Sequence, residues 1–247
     1  MKCIIVIPAR IDSTRLPRKL LLSDTGKPLI EHTYRAALTA MLPTKVCVAT
    51  CDDELAQVVR SFGGEAEETS AGAATGTDRI AEVAQRLKEM SLVVNVQGDE
   101  PEIDGEQIDT AIRLLDSNPA ADMATLATPI HDADAWRDPA CVKVVFDDSA
   151  RALYFSRSPI PYNGPPSDDQ GPPPGAFRHI GVYVYRRDFL LKYASAPRSH
   201  KETTEHLEQI RALDLGATIL TAVVDKRSRA INTAEDYQRF VSRALRS

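Results

Sequence analysis

The chain lacks the features of a membrane, disulfide-rich or nucleic-acid-binding protein. No apolar run approaches the ~20 residues that a membrane-spanning helix needs, and Met1-Lys2 leads directly into a predicted strand, so we expect neither a membrane span nor a signal peptide. The net charge of −5 and the 6% aromatic content argue against a broadly basic, aromatic-rich nucleic-acid surface. Only four cysteines occur, and Cys47 and Cys51 lack the further ligands of a zinc site. This pattern is typical of reduced thiols in a cytoplasmic enzyme.

The chain begins with a short apolar run that leads into a basic loop. Ile4-Ile5-Val6-Ile7 predicts a strand buried on both faces, as in a parallel α/β sheet, and Pro8 ends it. The loop that follows carries four cations and two hydroxyls: Arg10, Arg15, Arg18, Lys19, Ser13 and Thr14. Because ligands of open α/β sheets bind beyond the carboxyl ends of strands, we expect a polyanion here, most simply a nucleoside triphosphate. No glycine-rich turn leads into Gly-Lys-Ser/Thr, which excludes a Walker loop.

Strand and helix patterns alternate over the first hundred residues. Strands are predicted near 4–8, 45–50, 65–69 and 92–96. Helices are predicted near 29–41, from an N-cap at Asp52 or Asp53 to Phe62, and from about 78 to 90. This alternation predicts a parallel sheet with right-handed crossovers.

A second loop, Gln97-Gly98-Asp99-Glu100-Pro101, follows the fourth predicted strand and carries acids. Gly98 permits an unusual backbone conformation or the close approach of a ligand. Asp99 would hold Mg²⁺ against phosphates bound by the first loop. The alternative is a turn acid that caps the helix predicted from about 105 to 117.

From Met123 the pattern becomes mixed. Strands are predicted at 123–128, 142–146, 152–155, 178–185 and 218–224, helices at 203–215 and after Asn232 or Thr233, and a hairpin at 147–149. Residues 159–174 hold seven of the sixteen prolines, which predicts an extended surface arm. We therefore expect one α/β domain over 1–247 with a mixed insertion, an inserted lobe, at about 128–178.

Six blocks of sequence, in order, identify a family resemblance. They are PARIDSTRLPRK (8–19), GTDR (76–79), VNVQGDEP (94–101), ALYFSRSPIP (152–161), RHIGVY (178–183) and LEQIRAL (207–213). Together they resemble the 3-deoxy-manno-octulosonate (Kdo) cytidylyltransferase family over roughly Ile4 to Phe240. The resemblance implies a GT-A-like α/β fold, with a mainly parallel twisted sheet flanked by helices and a mixed inserted dimerisation lobe. It also implies a cytoplasmic homodimer that converts CTP and Kdo to CMP-Kdo and pyrophosphate with Mg²⁺, a step of lipopolysaccharide biosynthesis.

The resemblance also implies roles for individual residues. Lys19, Asp99 and Arg15 would be catalytic. The nucleotide would be bound by Arg10, Ser13, Arg15, Lys19, Gly76, Thr77, Arg79 and Gln97. The sugar acid would be bound by Arg157, His179, Tyr183, Glu208 and Gln209. The metal would be held by Asp99 and Asn232. From the residues alone, each member of the sugar-acid group is also compatible with ordinary packing or a solvated surface position.

Three positions depart from the family pattern. Arg18-Lys19-Leu20 stands where the family usually has Gly-Lys-Pro, which narrows the backbone choices of the phosphate loop. Ala73-Ala74-Thr75 replaces a common His-x-Ser, so a nucleotide- or sugar-side contact is expected to be lost. Asn232 replaces an aspartate that binds the metal, so affinity for Mg²⁺ is expected to fall unless Glu235 or Asp236 compensates.

These departures leave two alternatives to the main hypothesis. The first is a cytidylyltransferase for a modified Kdo or another sugar acid, favoured by the changes at Ala73 and Asn232. The second is a catalytically weakened paralogue that only binds nucleotide or sugar, favoured by Asn232 alone. We expect no nucleic-acid partner and no membrane partner.

Overall fold

The computed structural model describes residues 2–13, 15–73, 75–164, 171–225 and 229–246. The chain divides into two compact units. The first comprises Met1–Asp109 with Ser228–Ser247, and the second comprises Thr110–Arg227.

The first unit is a parallel sheet with helices. Its strands are β1 (Cys3–Pro8), β2 (Lys45–Thr50), β3 (Ala66–Glu68) and β4 (Leu92–Asn95). Its helices are α1 (Leu29–Ala37), α2 (Asp53–Ser61), α3 (Gly76–Arg86) and the C-terminal α9 (Ala234–Ala244), and α4 (Gly105–Asp116) contains the boundary between the units. β1 pairs in parallel with β2 and β4, and β2 pairs in parallel with β3. All six residues of β1 are buried, as its unbroken apolar run predicts.

Two predicted helices of this unit are shorter than the sequence indicates. α1 ends at Ala37 rather than near 41. The carboxylate of Asp109 accepts hydrogen bonds from the backbone N–H groups of Met41 and Leu42 at 2.9 and 3.0 Å, which fixes these residues in a turn. α3 begins at Gly76, two residues earlier than predicted, because Thr75 and Asp78 form a capping box, and it ends at Arg86 rather than near 90.

The second unit combines parallel and antiparallel strand pairs. Its strands are β5 (Met123–Pro129), β6 (Lys143–Phe146), β7 (Ala152–Ser156), β8 (Phe177–Arg186) and β9 (Ile219–Val223). Its helices are α5 (Ala133–Arg137), α6 (Arg187–Ser195), α7 (His200–Glu205) and α8 (Gln209–Asp214). β5 runs antiparallel to β8 and parallel to β9. β6 pairs antiparallel with both β7 and β8, and the β6–β7 pair confirms the predicted hairpin.

The prediction of one helix over 203–215 is wrong. α7 begins earlier, because Ser199 and Glu202 form a capping box, and it ends at Glu205. His206 then adopts a left-handed conformation with φ 53°, and Leu207 is buried in the break before α8 begins. Helices α5 and α6 were not predicted, since both are short and start without a strong periodic pattern.

The segment predicted as an inserted lobe lies within the second unit and contains a small apolar cluster. Ile130, Trp136, Cys141 and Ala176 are buried together. The indole N–H of Trp136 donates to the Ile160 carbonyl at 3.1 Å, which ties the start of the proline-rich segment to this cluster. Residues 165–170 of the predicted arm lie outside the described residues. In the described ranges, no helix is long and apolar enough to cross a membrane.

Candidate active site

The carboxyl end of β1 is approached closely by two loops that carry predicted site residues. A Cβ at Gly76, the first residue of α3, would lie 3.2 Å from the Pro8 ring. A Cβ at Gly98, in the loop after β4, would lie 3.3 Å from the Pro8 carbonyl oxygen. Glycine therefore lets both loops pack against the point where the basic loop begins.

The basic loop is anchored at both ends by acids at the start of α2. The N–H of Ile11 donates to Oδ2 of Asp52 at 2.8 Å, and Arg18 forms an ion pair with Glu54. Asp52 precedes α2, but its carboxylate makes no capping hydrogen bond there and binds the loop instead. Arg10 and Arg15 are exposed and Ser13 is half-buried, whereas Thr14 lies outside the described residues.

Arg18 has the left-handed backbone conformation that the family's glycine would favour. Its φ and ψ are 54° and 27°. For a residue with a Cβ this conformation costs roughly 1–2 kcal/mol. The turn at residue 18 therefore has a conformation that glycine adopts without this cost, and Lys19 follows it directly.

Lys19 connects three separate segments of the first unit. It is 8% exposed, and its ammonium donates to Oδ2 of Asp99 at 2.6 Å and to the carbonyl of Ile231 at 2.8 Å. The N–H of Ile231 in turn donates to the Asp99 carbonyl at 2.8 Å. The predicted catalytic pair, Lys19 and Asp99, is thus in direct contact, beside the segment that leads to Asn232.

The neighbourhood of Asn232 provides few acids for a metal. The carboxylate of Asp236 accepts from the N–H groups of Asn232 and Thr233 at 3.1 and 2.9 Å, and Glu235 pairs with Arg239. In the described part of the chain, no group of three or more His, Cys, Asp or Glu side chains is arranged to hold a metal.

The donor set nevertheless fits a divalent cation that arrives with phosphate oxygens. Oδ2 of Asp99 and the Ile231 carbonyl already bind one cation, the Lys19 ammonium. Mg²⁺ is commonly held by one or two carboxylates together with substrate phosphates and water. Asp99 supplies one full charge of this kind.

The other predicted nucleotide residues lie in the same unit. Arg79 is buried, and its guanidinium donates to Thr69 Oγ1 at 2.9 Å, just beyond β3. Thr77 is buried in the first turn of α3. Gln97 is half-buried and donates from Nε2 to Oδ1 of Asn95 at 3.2 Å. The structure gives Arg79 and Gln97 these protein contacts, and their roles toward a nucleotide stay predictions.

Arg157, predicted to bind the sugar acid, follows β7 in the second unit and is held by backbone carbonyls. Its Nε donates to the Glu205 carbonyl at 2.9 Å, Nη1 to the Pro139 carbonyl at 2.9 Å and Nη2 to the His206 carbonyl at 3.4 Å. Its backbone N–H donates to Oε2 of Glu205 at 2.9 Å. These contacts place Arg157 next to the chain that leads to Glu208 and Gln209.

His179 and Tyr183 lie in one row of aromatic rings. The His179 ring centroid is 5.1 Å from Phe155 and 5.2 Å from Tyr183, and Tyr183 is 5.9 Å from Tyr185. Thr125 pairs with Tyr183 and Leu126 with Ile180, so β8 bulges between these pairs. The bulge shortens the path between His179 and Tyr183 and brings their rings together.

His179 is neutral at physiological pH. Desolvation by burial lowers its pKa to about 3. Its Nε2 lies 2.9 Å from Oγ1 of Thr125, whose hydroxyl also lies 2.8 Å from the Val182 carbonyl. Because a hydroxyl has one hydrogen, donation to Val182 makes Nε2 of His179 the donor to Thr125 and leaves Nδ1 as an acceptor.

Tyr193 joins the aromatic row to the segment of Glu208 and Gln209. Its ring centroid is 6.1 Å from that of Tyr185, and its hydroxyl donates to the Glu208 carbonyl at 2.6 Å. The Arg211 guanidinium lies 4.5 Å above the same ring. Gln209 is buried and Glu208 is half-buried. The structure therefore links His179, Tyr183, Glu208 and Gln209 within the second unit.

The sequence did not single out four residues that organise these groups: Asp52, Ile231, Lys143 and Glu205. Asp52 and Ile231 act on the basic loop through Ile11 and Lys19. Lys143 and Glu205 bind the backbone of Arg157. Two of them carry a sequence signal: Asp52, which was predicted only as a helix N-cap, and Lys143, a lone lysine at the start of an apolar strand.

Comparisons with known proteins agree along the whole chain. Residues 4–219 match the family model described as Cytidylyltransferase. The 3-deoxy-manno-octulosonate cytidylyltransferase of Rhodopirellula baltica is 47% identical over 246 residues, covering 98% of each chain. The protein of that name from Syntrophotalea carbinolica is 48% identical over 238 residues, covering 95% of each.

Solved structures give the same result. A CMP:2-keto-3-deoxy-manno-octonic acid synthetase complexed with CTP superposes with a TM-score of 0.91 at 38% identity, covering 100% of this chain and 99% of that one. A 4-diphosphocytidyl-2C-methyl-D-erythritol synthase, at 16% identity and a TM-score of 0.63, shares the fold, with coverage of 100% and 99%. The nucleotidyltransferase α/β fold expected from the sequence is confirmed. The chain belongs to the 3-deoxy-manno-octulosonate cytidylyltransferase family.

Proposed function

We propose that the chain transfers the cytidylyl group of CTP to the anomeric hydroxyl of Kdo, giving CMP-Kdo and pyrophosphate for lipopolysaccharide biosynthesis. The observation that carries this function is the contact between Lys19 of the basic loop and Asp99, 2.6 Å apart, in a chain that matches family members along nearly its full length. This contact joins the cations that suit a triphosphate to the acid that suits its metal.

The reaction needs positioning and charge neutralisation more than a covalent nucleophile. The anomeric oxygen attacks the α-phosphorus in line, the bond to the pyrophosphate oxygen breaks, and the hydroxyl proton is released. Arg10, Arg15 and Lys19 neutralise the triphosphate, and Ser13 donates a neutral hydrogen bond. Lys19 belongs to the basic loop, and its ammonium contacts Asp99 in the loop after β4. Phosphate oxygens bound by the basic loop therefore compete with Asp99 for this ammonium.

Gly76, Thr77, Arg79 and Gln97 frame the nucleotide in this proposal. Two glycines support this arrangement: Gly76 itself, and Gly98, which follows Gln97. Both approach Pro8, where the basic loop starts.

Mg²⁺ is the cofactor in this proposal. Asp99 and the side-chain oxygen of Asn232 would hold it together with phosphate oxygens. When bound, it would neutralise phosphate charge and lower the pKa of the attacking hydroxyl.

On the sugar-acid side, Arg157 takes the carboxylate, because a guanidinium can donate two parallel hydrogen bonds to it. His179, Tyr183, Glu208 and Gln209 read the hydroxyls. The neutral state of His179 supports this role, since Nδ1 is then an acceptor for a sugar O–H.

We also propose that the enzyme is a cytoplasmic homodimer that associates through the lobe at about 128–178. The apolar cluster around Trp136 gives this lobe a small core of its own. Light scattering coupled to size exclusion measures the mass in solution, and a monomer at micromolar concentration would reject the dimer.

Pyrophosphate release by the purified protein tests the function. Each of the four nucleoside triphosphates is supplied with and without Kdo across a Mg²⁺ series. Release that requires both CTP and Kdo is the expected result. Absence of release with Kdo at every Mg²⁺ concentration rejects the proposal, and the same assay with amino-substituted Kdo or sialic acids then identifies another sugar acid.

A further inference from the structure

Lys143 is a buried lysine whose partners are carbonyl groups. It lies at the start of β6 with 0% exposure, and its ammonium donates to the carbonyls of Asp138, Cys141 and Arg157 at 2.9, 2.6 and 2.6 Å. Among the described residues, no carboxylate forms a salt bridge with it. Burying a charge without an ionic partner is costly, and an apolar side chain would fill the same space without that cost. The arrangement therefore indicates a need for the three carbonyls to be held together.

One of these carbonyls belongs to Arg157, whose backbone is fixed on both sides. Lys143 holds the Arg157 carbonyl at 2.6 Å, and Oε2 of Glu205 accepts the Arg157 N–H at 2.9 Å. Oε1 of Glu205 also accepts from the hydroxyl of Ser156 at 2.7 Å. Lys143 and Glu205 thus fix the backbone of Arg157 and, with it, the position of the Arg157 Cα and Cβ.

The same lysine fixes a surface on which the Arg157 guanidinium rests. Lys143 ties together residues 138 and 141, and the carbonyl between them, that of Pro139, accepts from Nη1 of Arg157 at 2.9 Å. Nε and Nη2 bind the carbonyls of Glu205 and His206. These contacts use three of the five guanidinium N–H groups and leave two, the number that a carboxylate accepts from an arginine fork.

The electrostatics of the cluster also favour an anionic ligand. Nε of Arg178 donates to the Cys141 sulfur at 2.8 Å. Three cationic side chains, those of Lys143, Arg157 and Arg178, therefore bind residues 138–141. Desolvation lowers the pKa of Lys143, interactions with Cys141 and Asp138 oppose this effect, and the positive charges of Arg157 and Arg178 add to it. A bound carboxylate would reduce the repulsion among these cations.

We propose that Lys143 is a positioning residue of the sugar-acid site, which holds the Arg157 backbone and the Pro139 carbonyl so that two guanidinium N–H groups face the substrate carboxylate. This inference rests on the proposed function, in which Arg157 binds the Kdo carboxylate.

Steady-state kinetics of Lys143→Met tests the inference. The variant keeps the volume and removes the donors. We expect the KM for Kdo to rise about tenfold or more, while the KM for CTP and kcat stay within about twofold, because only binding of the sugar acid is impaired. Lys192→Met, an exposed lysine of α6, is the matched control and should leave all three constants unchanged.

A double-mutant cycle separates positioning from a purely structural role. If Lys143 acts through Arg157, then adding Lys143→Met to Arg157→Ala should raise the KM for Kdo less than about twofold further. Additive effects, or equal losses toward CTP and Kdo, would overturn the inference.

Glu205→Gln provides a second route if Lys143→Met does not fold. It weakens the hold on the Arg157 N–H with little change in shape, and the same non-additivity with Arg157→Ala is expected. Kdo-dependent release by the unmodified protein distinguishes the two proposals. If the unmodified protein releases pyrophosphate with Kdo but the effects of the variants on the KM for Kdo are additive, only the role of Lys143 is overturned. If there is no release and calorimetry detects no Kdo binding, the proposed function and the role of Lys143 are both overturned.

Discussion

The ammonium of Lys19 lies 2.6 Å from the carboxylate of Asp99, 80 positions along the chain. The same ammonium lies 2.8 Å from the Ile231 carbonyl, a further 132 positions on. A side chain of the basic loop thus neutralises the acid expected to bind the metal. A nucleotide and its metal would have to redistribute both charges.

Replacing Lys19 by methionine should therefore impair activity and stability together. We expect kcat/KM for CTP to fall by at least about 100-fold, since Lys19 is a proposed ligand of the triphosphate. We also expect the free energy of unfolding to fall by about 1–3 kcal/mol, because Asp99 loses its ionic partner. Lys27→Met, an exposed control, should change neither quantity. Wild-type turnover by Lys19→Met would contradict the assigned role.

Asn232→Asp should strengthen the response to Mg²⁺. The exchange adds a second full negative charge to the proposed metal ligands, and we expect the Mg²⁺ midpoint for pyrophosphate release to fall by about tenfold, which corresponds to about 1.4 kcal/mol. Asn232→Ala, which removes the amide oxygen, should move the midpoint upward. Identical midpoints in all three proteins would place the metal away from residue 232.

Arg18→Gly should stabilise the protein. Arg18 has a left-handed conformation with φ 54°, which is unfavourable for a residue with a Cβ and is not unfavourable for glycine. Glycine also increases the conformational entropy of the unfolded chain, which offsets part of this gain. The net increase in the free energy of unfolding should be about 0.5–1 kcal/mol, measured by urea denaturation. Arg18→Ala removes the exposed ion pair with Glu54 but keeps the Cβ, so it should show no such gain.

The buried pair of Glu202 and Arg211 should contribute strongly to the second unit. Both residues are 4% exposed and lie 3.2 Å apart. Glu202→Gln should lower the free energy of unfolding by about 3 kcal/mol, because the Arg211 charge stays buried without compensation. Glu235→Gln removes an exposed partner of Arg239 and should cost less than about 1 kcal/mol. Equal losses from the two variants in urea denaturation would contradict this difference.

His179 should make the protein less stable as the pH falls. Its folded-state pKa is about 3, well below the ordinary value of 6.5, so the unfolded chain binds the proton first. The free energy of unfolding should therefore decrease as the pH is lowered from about 6.5 toward 3, by up to about 1.4 kcal/mol per pH unit for this one group. In His179→Gln, the free energy of unfolding should decrease less steeply as the pH falls. Urea denaturation at several pH values measures this slope. Parallel curves for the wild type and His179→Gln would contradict the prediction.

Local patterns were sufficient for much of the first unit. The apolar run of β1 and its proline end predicted the buried strand, because strand burial depends on neighbouring residues. The cations after β1 predicted a phosphate loop at this strand end, and that role stays a prediction. The break between α7 and α8 was not predictable in this way. The break depends on the burial of Leu207 and on the left-handed conformation of His206. Both are determined by the packing of the folded chain and not by the neighbouring residues.

The sequence by itself determined the family, the parallel strand–helix alternation and the identity of the charged groups at the strand ends. Only the tertiary structure decided which charges meet: Lys19 with Asp99, Asp52 with Ile11, and Lys143 with the carbonyl of Arg157. The physical reason is that burial removes water as an alternative partner. Each buried donor must then find an acceptor wherever the packed chain places one, regardless of the distance along the sequence.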